Sequence, residues 1–356
     1  MKKTWLACLL AGALSLPAFA DNNRSFTVVE NVERFATLPD GIRFPEGLAA
    51  SPAGDIFVGT FDFGPNPNKL VRFSHNGQVS AIKDFGATPL LGLEFRAGNV
   101  YILNFGTEQL QRLPGNFNAG TPVETVATFP KIGSPGSRTE DNPDGSQDTI
   151  TFGSNGKGAP NAMVFDRAGN LYVSDSFQGA IFRGANATTC TAPCPVEVIE
   201  HDPILATAGF PPFGANGLAL SPDESTLFIA NTGDDRVLAM KLVAPPPPAS
   251  RIAVLAEGIN GADGLLFANG LLWVCANQGD HVFALNAQGR PVVRAGSFEG
   301  VRKDGRPESL LFPASLATVG GFMYVTNLAL PLTPTVGDEP EEDVTRWTVS
   351  RFRIPH

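Results

Sequence analysis

The chain has 356 residues, 43% of them hydrophobic, with 38 glycines, 30 prolines and a formal net charge of −9. Nucleic-acid binding relies on basic surface, so this acidic composition disfavours a nucleic-acid partner. The many glycines and prolines, together with the lack of long helical patterns, favour an all-β protein built from short strands and turns.

Residues 1–20 have the features of a secretory signal peptide. The segment MKKTWLACLLAGALSLPAFA begins with two lysines, continues with an apolar run and ends in Ala18-Phe19-Ala20, an A-x-A cleavage pattern. We predict cleavage after Ala20 and a periplasmic or secreted protein. The apolar run is too short to cross a membrane and no later run reaches about 20 apolar residues, so we expect no membrane span.

Six later stretches share one pattern: an opening residue, a strand, a turn, a second strand and a closing residue. They are EGLAASPAGDIFVGT from Glu46, GLEFRAGNVYILN from Gly92, NAMVFDRAGNLYVSD from Asn161, NGLALSPDESTLFIAN from Asn216, DGLLFANGLLWVCAN from Asp263 and SLATVGGFMYVTN from Ser315. Their starts lie roughly 45 to 70 residues apart, which is typical of propeller blades. One copy cannot bury its apolar face alone. We therefore predict that residues 21–356 form a single six-bladed β-propeller, with the opening residues around the mouth of a central channel.

The segments outside these copies should provide the strands that close the ring and the loops that connect its blades. Apolar and polar residues alternate in residues 25–38 and 346–354, which predicts two strands that pair with each other at the closure. Residues 131–158 and 184–213 are interpreted as loop insertions. The first contains almost no aliphatic residues and is either a lid or wall over the rim or a solvated insertion without a role. The proline-rich residues 244–250 predict a polyproline-like connection on an outer edge.

The second insertion carries reactive side chains. Cys190 and Cys194 could form a disulfide in an oxidising compartment, and two free thiols are the alternative. His201, followed by Asp202, could assist proton transfer if this segment folds over the mouth, and an ordinary loop residue is the alternative. Cys275, within the apolar strand LLWVCA, is predicted to be a small buried hydrophobic residue.

Four of the six opening residues carry side-chain oxygens that could bind a metal. These are Glu46, Asn161, Asn216 and Asp263. Two carboxylates and two amide oxygens suit Ca²⁺ first, with Mg²⁺ or Mn²⁺ possible, and the four scattered histidines do not predict a zinc site. Each residue alone could simply bond the backbone where a strand begins. Four of them at one register favour a shared divalent cation, which would also remove the repulsion between the carboxylates.

The closing residues form a second predicted set on the same face. They are Asn104, Asp175, Asn231, Asn277 and Asn327. We predict that they orient the metal ligands or the substrate. Capping of strand ends is the alternative.

At the level of whole phrases, the chain resembles a known family. FPEGLAASPAGDIFVG, APNAMVFDRAGNLYVSD, ANGLALSPDESTLFIAN and ADGLLFANGLLWVCAN are similar to the metal-bearing repeats of SMP-30/gluconolactonase/LRE-like propellers. The resemblance implies a calcium-type ion held by Glu46, Asn161, Asn216 and Asp263. It further implies that the ion polarises a lactone carbonyl or phosphoryl oxygen, with Asp263 as general base or nucleophile. The implied function is an exported calcium-dependent hydrolase of small lactones or related esters.

The chain also departs from this family. Sugar lactonases of the family usually read RPND, whereas this chain reads Ala159-Pro160-Asn161-Ala162, so the arginine expected to touch the substrate is missing. Sugar acid lactones are therefore disfavoured, and the apolar residues 210–213 (FPPF) favour a less polar lactone or ester. Two alternatives stay open: a non-catalytic, metal-stabilised propeller that binds a small ligand or protein, and a strictosidine-synthase-like enzyme. Serine-hydrolase, P-loop and Rossmann motifs are missing.

Overall fold

The computed structural model describes residues 26–153, 156–243, 250–334 and 336–355. The predicted signal peptide and residues 244–249 of the proline-rich connection lie outside the described residues. Among the residues that are described, no helix combines the length and the apolar character that crossing a membrane requires.

The regular structure is almost entirely β-strand. Strands β1 (Thr27–Val29) and β2 (Glu33–Thr37) come first. Blade 1 consists of β3 (Pro45–Ala50), β4 (Ile56–Thr60), β5 (Asn68–Phe73) and β6 (Val79–Gly86). Blade 2 consists of β7 (Leu90–Arg96), β8 (Asn99–Asn104), β9 (Gln109–Pro114) and β10 (Glu124–Thr128). A separate hairpin follows, with β11 (Arg138–Asp141) and β12 (Gln147–Ile150).

The second half of the chain continues the same pattern. Blade 3 consists of β13 (Pro160–Phe165), β14 (Leu171–Asp175), β15 (Ala180–Gly184) and β16 (Glu197–His201). Blade 4 consists of β17 (Ala215–Leu220), β18 (Thr226–Asn231), β19 (Arg236–Lys241) and β20 (Ile252–Glu257). Blade 5 consists of β21 (Ala262–Ala268), β22 (Leu271–Ala276), β23 (His281–Leu285) and β24 (Pro291–Ala295). A second hairpin follows, with β25 (Phe298–Val301) and β26 (Pro307–Ser309).

Blade 6 contains both ends of the chain and closes the ring. Its own strands are β27 (Pro313–Val319), β28 (Phe322–Asn327) and β29 (Thr348–Arg353). Strand β2 pairs antiparallel with β29 and is the outermost strand of this blade, so the predicted pairing of the two termini is confirmed. Strand β1 adds a parallel fifth strand beside β24 of blade 5. Short 3₁₀ segments cover Pro203–Leu205, Asn277–Gly279 and Pro340–Asp343.

The hydrophobic core lies between neighbouring blades. Between blades 3 and 4, for example, Ile181 packs with Leu218 and Ile229, and all three side chains are buried. The apolar faces of neighbouring blades thus cover one another, as expected when repeats stack. The predicted all-β, six-bladed propeller is confirmed.

Glycines let the innermost strands approach one another closely. A Cβ on Gly217 would lie 2.1 Å from the carbonyl oxygen of Asp263, and a Cβ on Gly47 would lie 2.1 Å from that of Leu91. Gly264 meets the following blade in the same way, at 2.4 Å. A side chain cannot fit at these positions, since backbone atoms of the next blade occupy the space. The glycines therefore set the width of the central channel.

Within the predicted insertion 131–158, residues 138–150 form the hairpin of β11 and β12. The side-chain oxygen of Gln178 accepts hydrogen bonds from the backbone of Ile132 (2.6 Å) and Gly133 (3.0 Å), which anchors the start of the segment to blade 3. Arg138 of the hairpin lies 3.7 Å from the carboxylate of Asp234 in blade 4. The hairpin thus gains its order from contacts with blades 3 and 4. Its role as a lid stays a prediction.

The interpretation of residues 184–213 as one loop insertion is wrong. Residues Glu197–His201 form the fourth strand of blade 3, because they pair with β15 and complete its sheet. The part before this strand is closed by the Cys190–Cys194 disulfide, with 5.8 Å between the Cα atoms, so that predicted bridge is confirmed. Cys275 is a free, buried cysteine, as predicted.

Substitution of Gly217 by alanine should destabilise the protein. The added methyl group would collide with the backbone of blade 5, and overpacking of this kind costs about 1–3 kcal/mol. Gly136 is the control, because it is exposed and no atom lies within 4 Å of the position of its Cβ. Chemical denaturation should show a lower free energy of unfolding for Gly217→Ala and almost none of this loss for Gly136→Ala. Equal stability of the two variants would contradict the role assigned to Gly217.

Candidate functional site

Strand pairing defines the equivalent position in each blade. In every innermost strand the first residue pairs with the end of the second strand, and the register shifts before the fourth residue. The second residues of these strands are Glu46, Leu91, Asn161, Asn216, Asp263 and Ala314. The opening positions predicted at Gly92 and Ser315 are therefore one residue too late. The cause is the bulge, since it inserts a residue that simple strand alternation does not anticipate.

All four predicted metal ligands come together at one end of the central channel. Glu46, Asn161, Asn216 and Asp263 line the floor of one cavity, which has a volume of about 50 Å³ and opens to solvent. Each is at most 6% exposed, so their side chains are shielded from bulk water. Leu91, from the equivalent position of blade 2, lines the same cavity with an apolar side chain.

A hydroxyl group fixes the orientation of the Asn161 amide. The Nδ2 group of Asn161 donates to Ser176 Oγ at 2.9 Å, and Ser176 Oγ donates in turn to the carbonyl oxygen of Ala215 at 2.7 Å. The Ser176 hydroxyl therefore uses its proton to bond blade 4, and its oxygen can only accept from Asn161. This fixes which end of the Asn161 amide faces Ser176. Asn161 Oδ1 is left buried without a hydrogen-bond partner in the protein. A buried acceptor without a partner costs free energy, unless a ligand occupies it.

Blade 4 repeats this arrangement, and in blade 5 the hydrogen bond runs in the opposite direction, toward the floor residue. Asn216 Nδ2 donates to Thr232 Oγ1 at 3.0 Å, and Thr232 Oγ1 donates to the carbonyl oxygen of Ala262 at 2.7 Å. Asn277 Nδ2 donates to Asp263 Oδ2 at 3.2 Å. In each of blades 3 to 5 the floor residue is thus held by the residue that follows the second strand of the same blade.

Burial disfavours the ionisation of both carboxylates of the floor. Burial raises the pKa of Glu46 well above its usual value, and the nearby Asp263 raises that pKa further. Burial also raises the pKa of Asp263 to about 7, although hydrogen bonds from Asn277 and Asn216 act in the opposite direction. Glu46 Oε2 is buried and has no hydrogen-bond partner. A cation between the two groups would offset both the burial and the repulsion.

Most of the predicted closing residues lie behind the cavity. Asn104, Asp175, Asn231 and Asn327 are buried but do not line it. Asp175 accepts hydrogen bonds from the backbone of Ala159, and Asn231 donates to the carbonyl oxygen of Ala206. The contacts around these side chains are those of strand-end caps, which was the alternative interpretation.

Asn277 differs from the other closing residues because it lines the cavity. By register, Ala276 pairs with the start of β21, so Asn277 stands one residue beyond the equivalent closing position. Ser176 and Thr232 occupy this later position in their blades, and the sequence analysis missed both. Their signal is the small polar residue after the second strand in SDS, ANT and CAN. His201 is exposed on the outermost strand of blade 3 and does not line the cavity.

Among the residues that the structure describes, two carboxylates line the floor, Glu46 and Asp263. Within the described ranges, no group of three or more histidine, cysteine, aspartate or glutamate side chains could hold a metal ion. A metal at the floor would therefore depend on the amide oxygens of Asn161 and Asn216 as well. Such oxygens are ordinary ligands for Ca²⁺.

Comparison with known proteins is consistent with this architecture. The computed structure is similar to luciferin-regenerating enzyme (17% identity, TM-score 0.60, 90% of this chain and 94% of that chain). It is also similar to the calcium-binding protein regucalcin from Agrobacterium tumefaciens (14%, 0.57, 91% and 94%). A third similar structure is a gluconolactonase from Xanthomonas campestris (15%, 0.54, 90% and 89%). Identities this low show the fold alone.

Sequence comparison adds a family over part of the chain. No curated protein matches the chain at a significant level. Residues 155–295, which include Asn161, Asn216 and Asp263, match the family model described as SMP-30/Gluconolactonase/LRE-like region. The resemblance seen in the repeats is thereby confirmed over blades 3 to 5.

Proposed function

We propose that this protein is an exported, calcium-dependent hydrolase of lactones or related esters. One observation carries the proposal. Two buried carboxylates and two oriented amides meet at the floor of a cavity that opens to solvent. The fold shared with gluconolactonase and regucalcin structures supports the reaction type and the ion, and the family match over residues 155–295 adds to this support.

The floor fits a hard divalent cation. Glu46 Oε2 and Asn161 Oδ1 are buried oxygens without protein partners, which is the state expected of ligands that await an ion. We infer that Glu46, Asn161, Asn216 and Asp263 would hold Ca²⁺, and Mg²⁺ or Mn²⁺ could occupy the same oxygens. When bound, the cation would supply Lewis-acid polarisation of the ester or lactone carbonyl.

The residues of the chain would provide the remaining chemistry. Asp263 is the candidate general base or nucleophile, because it is a carboxylate at the floor of the cavity and Asn277 fixes one of its oxygens. Thr232 and Asn277 hold their partners through hydrogen bonds of 3.0 and 3.2 Å, so the floor is built before a substrate arrives. The apolar side chains that line the cavity, among them Phe61, Phe213 and Phe312, would exclude water from the reacting atoms and strengthen the electrostatic interactions there.

Calcium should stabilise the protein through the floor residues. At a concentration one hundred times its Kd, an ion that binds only the folded state adds about 2.7 kcal/mol of stability. Thermal unfolding in a calcium titration should therefore show a rising Tm for the native protein and little change for Asp263→Asn. The control is Glu94→Gln, since Glu94 lies at the opposite end of the channel and should leave the response intact. A full response in Asp263→Asn would contradict the predicted ligand set.

Calcium affinity should fall as the pH falls. The pKa of Asp263 is raised to about 7 and that of Glu46 is raised as well, so protons compete with the ion near neutral pH. The ion binds the ionised carboxylates, and binding must displace any proton they carry. From pH 8 to pH 6 the calcium Kd from isothermal titration should increase by at least about tenfold, given a pKa near 7. An affinity independent of pH over this range would show that these carboxylates do not bind the ion.

Hydrolysis is tested with a panel of γ-lactones, δ-lactones and simple aryl esters. The native protein should hydrolyse at least one of them, and removal of calcium by a chelator should abolish the activity. Asp263→Asn should lower kcat by about 100-fold or more, the usual contribution of a general base, while Glu94→Gln should retain activity. A protein that binds calcium but hydrolyses none of the panel would instead support the non-catalytic alternative.

A further inference from the structure

The cavity above the floor is apolar on every side. Its wall consists of Phe61, Leu91, Phe213, Phe312, Leu328 and Leu332, with Leu330 and Pro211 beside them. No lysine, arginine or histidine lines this cavity in the ranges that the structure describes. The polar side chains are thus at the floor. The part of a ligand that extends away from the floor would contact hydrocarbon.

The donors of the floor are already partly committed to the protein. Asn161 Nδ2, Asn216 Nδ2 and the hydroxyl of Thr232 are engaged in hydrogen bonds with the protein. A hydroxylated substrate would bring several hydroxyl groups against the wall, where they would lose water without gaining a partner. Each such group costs about 1–3 kcal/mol, so a sugar-like ring is a poor fit.

A layer of aromatic rings leads from the cavity to the surface. Phe61 and Phe213 line the cavity, and their ring centroids are 6.2 Å apart. Phe61 also contacts Phe105 at 5.7 Å and Phe63 at 4.7 Å. Phe63 is 65% exposed, so it forms the outer end of the layer. An apolar chain that begins at the floor therefore has a continuous apolar surface to follow outward.

The cation that pairs with Asp62, between Phe61 and Phe63, is already engaged. Arg43 donates to both carboxylate oxygens of Asp62, at 2.8 and 2.9 Å. A bidentate pair of this kind fixes the guanidinium group and neutralises it. The layer beside Asp62 therefore presents Phe61 and Phe63 rather than a free charge.

We infer that the substrate is a lactone or ester with an unbranched apolar chain of several carbons, rather than a hydroxylated sugar acid lactone. The inference rests on the proposed function for the reacting group. The carbonyl group lies at the floor, and the chain extends past Phe61 and Phe213 toward Phe63. Burial of each added methylene contributes about 0.8 kcal/mol, which corresponds to an approximately three- to fourfold gain in affinity.

Binding and turnover are measured separately over a chain-length series. The substrates are γ-lactones with ring substituents from hydrogen to octyl, compared with glucono-δ-lactone, in the calcium-loaded protein. The corresponding γ-lactams resist hydrolysis and report binding alone by isothermal titration. Both kcat/KM for the lactones and the affinity for the lactams should rise by roughly threefold per methylene, until the chain passes the aromatic layer.

The two proposals fail in different ways. Absence of lactone turnover, together with lactam affinity that rises with chain length, would reject hydrolysis and leave the apolar site standing. Equal lactam affinity over the series, no lactam binding at all, or a preference for glucono-δ-lactone would overturn the apolar site.

Two variants test where the apolar chain of the substrate lies along the layer of aromatic rings. Phe213→Ala should weaken binding of all lactams with chains of intermediate and greater length, because this ring lines the cavity. Phe63→Ala should weaken only the longest, since Phe63 is exposed at the outer end. The matched control is Phe26→Ala. Phe26 lies just before β1 and is 48% exposed, so its substitution should leave the affinity for all lactams unchanged. Thermal unfolding of each variant confirms that it is folded. Unchanged lactam affinity in folded Phe213→Ala would overturn the proposed path.

Discussion

The close approach of backbone to backbone between innermost strands is the constraint on which the site depends. At Gly47, Gly217 and Gly264 the next blade comes so near that no Cβ could be accommodated. The residue before each of these glycines is Glu46, Asn216 or Asp263. Since the glycines fix how far the innermost strands can converge, they also fix how near these side chains come to one axis. The repeated glycine is therefore part of the site, although it contributes no ligand.

Two hydroxyl groups orient the asparagine side chains of the floor. The hydroxyls of Ser176 and Thr232 each donate to the following blade and accept from an asparagine of their own blade. One side chain thus joins two blades and sets the direction of an amide. Since the same hydrogen bonds hold the ring together and aim the oxygens inward, geometry at the floor and stability of the ring are coupled.

The fold and the floor were predictable because repetition is visible in the sequence. Six similar copies predict six blades, and a polar residue at one position of four copies predicts a cluster at one axis. The bulge was not predictable from alternation, so Gly92 was chosen where the register gives Leu91. The strand Glu197–His201 was missed because a disulfide-closed loop separates it from β15, and pairing across such a loop is a long-range property. Only part of the apolar wall was predicted, at residues 210–213, because Phe61 and Phe312 lie far from Phe213 in sequence and meet it only in the fold.

The apolar wall and the charged floor are best understood as one arrangement. Hydrocarbon above the floor lowers the local dielectric constant, which is why burial is the leading cause of the raised pKa at both Glu46 and Asp263. The same low dielectric strengthens the attraction between those carboxylates and any cation that enters. A polar wall would make it easier for Glu46 and Asp263 to ionise. It would also weaken the attraction between these carboxylates and a bound cation. The phenylalanines around the cavity therefore act on the chemistry of the floor as well as on the choice of ligand, and the two effects cannot be separated by changing the floor alone.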